Sequence, residues 1–178
     1  RLGDIHERLI AIDAHSAPSR AARILDGLGF DEAAQHRELE SFSGGWRMRV
    51  ALAALLFSQP DLLLLDEPSN HLDLEAVLWL EDFLKSYPAT ILLVSHERDF
   101  LNNVVDHILH LSGGKLTIYP GGYDAFARQR AERAGGDTDG ETPGRRHGHT
   151  WQGAIAAAAA AIVPQAAQVA TAGEITTI

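Results

Sequence analysis

Two adjacent carboxylates, Asp66 and Glu67, follow an unbroken run of leucines in the segment LLLLDEPSNHLD. An aspartate at the end of a buried strand can hold Mg²⁺, usually through water, and a neighbouring glutamate can orient and deprotonate an attacking water. Two acidic residues can also simply solvate the end of a strand. The pair by itself leaves both a hydrolytic site and a polar loop open.

A second candidate lies in SFSGGWRMR, where Ser43, Gly44 and Gly45 directly precede a predicted long helix. Ser43 occupies the position of a helix cap, and the two glycines leave backbone N–H groups uncovered. Such a helix start suits a phosphate oxygen. An ordinary capped helix after a glycine turn has the same sequence, so this feature is also indecisive alone.

The third candidate is His96, one residue beyond the predicted strand TILLVS, Thr90 to Ser95. Neighbouring parallel strands end at the same edge of a sheet, so we expect His96 near Asp66 and Glu67, in reach of a phosphate or a water. The alternative is a surface histidine at a strand end. The other eight of the nine histidines show no spacing typical of metal ligands.

The elements that must position these residues form a β-α-β pattern. DLLLLD is too continuously apolar for a half-exposed strand, which predicts a central strand covered on both faces, and TILLVS predicts a second buried strand. Asp73 is expected to cap the helix between them. That helix is expected to face the core through Leu74, Val77, Leu78 and Leu84. The predicted class is α/β, with parallel strands and flanking helices.

The flanking segments predict further elements. They are helices within Arg1 to Leu28 with a break near Pro18, a helix from Trp46 to Ser58, a short helix around Phe100 to Val104, a hairpin turning at Gly113 and Gly114, and a helix in YDAFARQRAER. From about residue 135 the periodicity stops. We expect residues 1–134 to form one domain and residues 135–178 to be a low-complexity, disordered tail that does not pack against it. An out-of-frame or misassembled gene model explains that tail better than a genuine one.

Composition limits the function. The 178 residues, 46% of them hydrophobic, suffice for one core, and the formal charge of −9 argues against a domain that coats nucleic-acid phosphates. The absence of cysteine excludes disulfides and thiolate metal sites. The start of the chain is not a signal peptide, and Pro164 interrupts the alanine-rich run from Gly153 to Ala170. A cytoplasmic protein without direct membrane insertion is expected.

The order of the candidates resembles a known family. FSGGWRMRVALA is similar to the signature and helix of an ABC-type ATPase, LLLLDEP to its Walker B strand, SNHLD to its D-loop, and LLVSHERDF to its switch-histidine region. Within that superfamily the sequence resembles the first ATPase domain of ABC-F proteins. His71 is part of this resemblance, because the ATPase domains of transporters usually carry alanine at that position. The ABC-F form more often has Thr where this chain has Ser69. The resemblance implies part of a P-loop NTPase domain, over roughly Arg1 to Arg133.

The resemblance also implies roles for the candidate residues. Asp66 would hold Mg²⁺, Glu67 would be the general base for ATP hydrolysis, and His96 would sense the γ-phosphate. ABC domains pair head to tail. The remaining candidates would act across that pair: Ser43, Gly44 and Gly45 on the γ-phosphate of ATP bound to a second ABC ATPase domain, and Asp73 in coupling the two sites.

One expected motif is absent from these 178 residues: G-x-x-x-x-G-K-[ST] does not occur, and the single Gly-Lys pair, Gly114-Lys115, is followed by Leu116. We therefore expect a fragment that is inactive alone, and its status as an enzyme stays open. Three functions remain: an ABC-F ATPase acting on the ribosome in translation, the ATPase subunit of an ABC transporter, and a non-catalytic half-domain or pseudogene product.

Overall fold

The computed structural model describes residues 2–11, 13–112, 115–134 and 176–177. The α-helices within them are α1 (Leu2–Ala11), α2 (Ala17–Gly27), α3 (Glu32–Gln35), α4 (Gly44–Ser58), α5 (Leu74–Lys85), α6 (Arg98–Val104) and α7 (Tyr123–Ala134). The strands are β1 (Leu62–Asp66), β2 (Thr90–Val94), β3 (His107–Ser112), β4 (Lys115–Pro120) and β5 (Thr176–Thr177). The predicted α/β class is confirmed.

The sheet is built around β1. It pairs in parallel with β2, so that Leu62 lies opposite Thr90 and Asp66 opposite Val94. The four leucines of β1 are buried and Asp66 is exposed, which confirms a covered strand that ends at a polar edge. β2 forms as predicted but is less buried than expected: Thr90 is exposed and residues 91–94 are half-buried. The reason is an apolar groove of about 360 Å³ between β2 and β3, where β2 lacks packed neighbours.

Helices α2, α4, α5 and α6 enclose β1 in one apolar core. The largest fully buried side chains come from these elements and the turn after α2: Leu28, Phe30, Leu56, Leu63, Leu80 and Phe100. α4 ends where Gln59 takes a left-handed conformation, φ 48°, and Pro60 follows. A left-handed residue and then a proline is a common way to stop a helix. The chain is thereby redirected into β1.

Helix α5 presents a narrower apolar face to the core than its sequence predicts. Ala76, Leu80 and Leu84 are buried at spacings of four residues, whereas Leu74 is 72% and Leu78 52% exposed. The expectation that Leu74 and Leu78 face inward is therefore wrong. Leucines at every third or fourth position do not all fit one stripe, and tertiary packing decides which stripe is covered.

The two entry helices are separated as expected, but Pro18 lies inside the second one. α2 begins at Ala17, and Pro18 occupies its first turn. Proline suits that position because its missing N–H would have no helical partner there and its φ is already helical. After α2 the chain turns at Gly29, which has a φ of +90°.

β3, β4 and α7 form a second layer, a two-stranded hairpin with a helix packed on it. β3 and β4 pair antiparallel, with Ser112 opposite Lys115, which confirms the predicted hairpin. Gly113 and Gly114 themselves lie outside the described residues. α7 packs on this hairpin through Phe126, whose ring lies edge-on to Tyr119 at 5.0 Å.

Most of the predicted tail lies outside the described residues. Two of its residues, Thr176 and Thr177, form β5 and pair in parallel with Leu63 and Leu64 of β1. In the described part of the chain, no helix is long and apolar enough to cross a bilayer.

Candidate functional site

The carboxylate pair lies where the sequence placed it, at the end of β1. Asp66 is the last residue of the strand and is exposed. Glu67 leaves the strand with a φ of 48°, and its N–H donates to the carbonyl of Val94 at 2.9 Å. A left-handed backbone is uncommon for a residue with a side chain and costs of order 1–3 kcal/mol. This turn separates the two carboxylates, so that Asp66 is exposed and the side chain of Glu67 is only 19% exposed.

The structure brings His96 to Glu67. The Nε2 atom of His96 lies 3.4 Å from Oε1 of Glu67, and the imidazole is 83% exposed. Oε1 of Glu67 is itself buried and has no hydrogen-bond partner among the described residues, because His96 is not aligned to donate to it. Leaving a buried carboxylate oxygen without a donor is costly. Such an oxygen can accept a proton from a water or hydroxyl placed beside it.

The start of α4 leaves its polar groups open. Ser43 is the N-cap residue, but its hydroxyl makes no capping hydrogen bond. A Cβ added to Gly44 would meet no atom within 4 Å, and Gly44 does not have a positive φ. Neither packing nor backbone conformation within this chain therefore requires a glycine there. A Cβ on Gly45 would meet Nδ1 of His71 at 3.9 Å, an ordinary contact.

The carboxylate of Asp73 makes two contacts within this chain. Its Oδ1 accepts from the backbone N–H of Ala76 at 3.0 Å, which confirms the predicted cap of α5, and its Oδ2 pairs with Nη1 of Arg49 at 2.9 Å. The N–H of Ala76, and then the Arg49 guanidinium, lower the pKa of this carboxyl below 3.8. The side chain stays 57% exposed, so the pair does not close Asp73 off from a second domain.

Arg49 is the site residue that sequence reasoning missed. Its Nε donates to the carbonyl of His71 at 2.7 Å, its Nη1 also donates to the carbonyl of Leu28 at 3.2 Å, and its guanidinium lies 4.6 Å from the ring of Trp46. Arg49 thereby connects α4 to the loop before α5 and to the end of α2. The Trp-x-x-Arg spacing in WRMR is a signal for the ring contact, whereas the partners 21 to 24 residues away are visible only in the folded chain.

A small cavity of about 170 Å³ separates α4 from the loop that follows β1. Its walls include Met48 and Arg49 on one side, and Asp66, Glu67 and His71 on the other. The structure therefore places Asp66, Glu67 and His96 together at one sheet edge. Ser43 and Gly44 are exposed at the start of α4.

The residues present fit magnesium and fit ATP only in part. Mg²⁺ at a nucleotide site takes one or two carboxylates and fills its remaining positions with phosphate and water oxygens. Asp66, exposed at the strand end, suits that role. In the described ranges, no group of three or more His, Asp or Glu side chains forms a complete metal site. The phosphates would need donors from outside these 178 residues, because no P-loop motif occurs in them.

Comparison with known proteins defines the class. A family model described as ABC transporter matches residues 4–70. ABC transporter F family member 3 of Arabidopsis thaliana is 58% identical over 133 residues, which are 75% of this chain and 19% of that protein. Probable ATP-binding protein YheS of Escherichia coli K12 is 54% identical over 132 residues, 74% of this chain and 21% of that protein. ATP-binding cassette sub-family F member 3 of Homo sapiens is 51% identical, with coverages of 74% and 19%.

These matches, with the parallel sheet and the motif order, identify an ABC-type ATPase segment with a P-loop NTPase fold. The relatives are F-family proteins, and the predicted resemblance to the ABC-F family is confirmed. The chain spans about a fifth of the length of the curated relatives it matches, which is 19% to 21%. Members of the family work as paired ATPase domains.

Proposed function

We propose that this chain supplies half of an ATP-hydrolysis site in a cytoplasmic ABC-F ATPase. The observation that carries the proposal is the buried, unpartnered Oε1 of Glu67, with His96 3.4 Å away at the edge of the sheet. A carboxylate oxygen in that state is ready to accept a proton from an attacking water. His96, largely exposed, is free to meet the γ-phosphate.

Each carboxylate has a separate task in this proposal. Glu67 orients the water and takes its proton, while Asp66 holds Mg²⁺, which neutralises charge on the phosphates. The different exposure of the two side chains supports the division. Asp66 faces solvent, where a hydrated cation arrives, and the semi-buried Glu67 keeps a stronger interaction with its proton donor.

The signature residues serve a second site in the head-to-tail pair. Ser43 has an unengaged hydroxyl, and Gly44 is a glycine for which nothing inside the chain gives a reason. A γ-phosphate held by the second ABC domain would supply that reason, because it must approach the N–H groups at the start of α4 closely. Asp73, partly exposed beside the same region, would couple the two sites.

The test uses a full-length chimera in which the matching segment of this chain replaces that of the Arabidopsis relative. We expect Glu67→Gln to lower kcat for ATP by at least about 100-fold while ATP binding is retained, since glutamine keeps the shape but cannot take the proton. Glu32→Gln, an exposed acid in α3, is the control. Turnover that survives Glu67→Gln would show that Glu67 is not the base.

The partner of the whole protein is a separate part of the proposal. We propose the ribosome, on the ABC-F resemblance. The family model's description, ABC transporter, favours a second candidate, a transporter's ATPase subunit. Sedimentation of the full-length protein with ribosomes supports the first, whereas copurification with an integral membrane permease supports the second.

A further inference from the structure

A part-buried hydrogen bond joins the loop after β1 to the loop after β2. Ser69 is 4% exposed, and its hydroxyl donates to Oε1 of Glu97 at 2.7 Å. Hydrogen bonds from a hydroxyl to an ionised carboxylate are about twice as strong as neutral ones. The two residues are 28 positions apart in the chain.

The position of this pair relates it to the candidate catalytic residues. Ser69 lies two residues after Glu67, and Glu97 follows His96 directly. Glu97 is the N-cap residue of α6, yet its side chain makes no capping hydrogen bond. Its carboxylate is directed across to Ser69 instead of to the open end of its own helix.

His96 has little else to fix it. Its imidazole is 83% exposed, and its approach to Glu67 is unaligned for a hydrogen bond. The position of the ring therefore depends on the backbone that carries it. Next to His96 in the chain, the N–H of Glu97 donates to the hydroxyl of Ser95 at 3.1 Å. The N–H of Glu67 donates to the carbonyl of Val94.

We infer that Ser69 and Glu97 are positioning residues that set the distance between His96 and Glu67, an inference that rests on the proposed hydrolytic function. The pair fixes one loop relative to the other at the points where the two candidate catalytic residues leave the sheet. Loss of the Ser69 hydroxyl removes the side-chain hydrogen bond that joins the two loops, and the exposed Glu97 carboxylate is then free to turn to water. A displacement of about 1 Å at a reacting group can lower a rate by up to about 100-fold.

The first test measures ATP hydrolysis by the full-length chimera. Ser69→Ala is expected to lower kcat by about tenfold or more with little change in KM, and Ser69→Thr, which restores a hydroxyl, is expected to recover most of the rate. Ser58→Ala is the matched control, because its hydroxyl donates only within α4, to the carbonyl of Leu55. Assays are run where circular dichroism shows every variant folded.

A double-mutant cycle separates positioning from general destabilisation. If Ser69 acts through His96, Ser69→Ala should cost little further activity in a His96→Ala background. An equal loss in both backgrounds, or no loss in either, overturns the inference. Activity retained by Glu67→Gln would instead reject the proposed function, and the two failures are thus distinguishable.

A second readout does not depend on activity. The imidazole NMR resonances of His96 in the 178-residue chain should move on Glu67→Gln, which alters its neighbour, and on Ser69→Ala, which alters its position. Ser58→Ala should leave them in place. Unchanged His96 resonances in Ser69→Ala contradict the inference whatever the assay gives.

Discussion

At the scale of single residues, the environment of Glu67 separates it from an ordinary acidic residue at a strand end. Its left-handed backbone turns the chain away from the strand, and one of its carboxylate oxygens is buried without a donor. Both features cost free energy, and such costs concentrate at functional sites. The same acidic pair in a fully solvated loop would carry neither cost.

Asp73 contributes stability that depends on its charge. Its folded-state pKa is lowered, so the stabilisation is present above about pH 4 and is lost as the pH falls through that lowered pKa. Asp73→Ala is expected to reduce the free energy of unfolding by about 1 kcal/mol at pH 7, mainly through the lost cap on Ala76. The difference from the parent chain should shrink at pH 3. Urea unfolding at both pH values measures it.

Asp31 supplies the matched control for that experiment. It caps α3 through the N–H of Ala34 at 2.7 Å, as Asp73 caps α5. Arg49 pairs with Asp73 and contacts the carbonyls of Leu28 and His71. If the difference in free energy of unfolding between the parent chain and Asp73→Ala stays constant from pH 7 to pH 3, the charge of Asp73 does not stabilise the fold.

At the scale of elements, α5 determines where the loop before it is held. The helix contributes Leu80, which has no exposed surface, to the core that also contains Leu63 of β1. Its capping residue Asp73 pairs with Arg49 of α4. The residue after Leu80, Glu81, is also buried, and its carboxylate accepts from Asn103 of α6 at 2.9 Å. α5 thus connects the loop that precedes it to α4 and to α6.

Truncation of Leu78 and of Leu80, both in α5, should have very different effects on the free energy of unfolding. Leu80→Ala leaves a cavity in the core and is expected to lower the free energy of unfolding by about 2–5 kcal/mol. Leu78→Ala should change it by less than about 0.5 kcal/mol, since Leu78 is 52% exposed. Urea unfolding followed by circular dichroism measures both. Equal losses would mean that Leu78 is packed in the core as Leu80 is.

At the scale of the whole molecule, the 178 residues contain the candidate catalytic carboxylates Asp66 and Glu67 without a P-loop motif. Asp66 and Glu67 repel the negative phosphates of ATP, and a P-loop would supply the opposing N–H groups and lysine. No such motif occurs in the 178 residues. We therefore expect tight nucleotide binding only where other segments contribute those groups.

The purified 178-residue chain is therefore expected to release no phosphate from ATP above background in the presence of Mg²⁺. A malachite-green assay at millimolar ATP measures this, with the chimera as positive control. Magnesium-dependent release that disappears on Glu67→Gln would contradict the expectation, because it would show that these residues hold ATP without a P-loop.

The sequence by itself determined the elements and the identity of the candidate residues. The leucine run before Asp66 and the cap at Asp73 are local signals, because an apolar run and a capping residue are both visible in a few neighbouring residues. The order of four motifs also sufficed for the family. The roles assigned to Ser43, Gly44, Gly45, Asp66, Glu67, Asp73 and His96 remain predictions.

Only the tertiary structure decided which groups meet. Helical periodicity marked Leu74, Leu78 and Leu84 alike, and packing against β1 covered only Leu84 among them. Arg49 and Asp73 are 24 residues apart, and Ser69 and Glu97 are 28 apart. Such pairs depend on how strands and helices are placed in space, which no local pattern contains. The burial of Oε1 of Glu67 has the same origin, because it depends on groups that only the folded chain brings together.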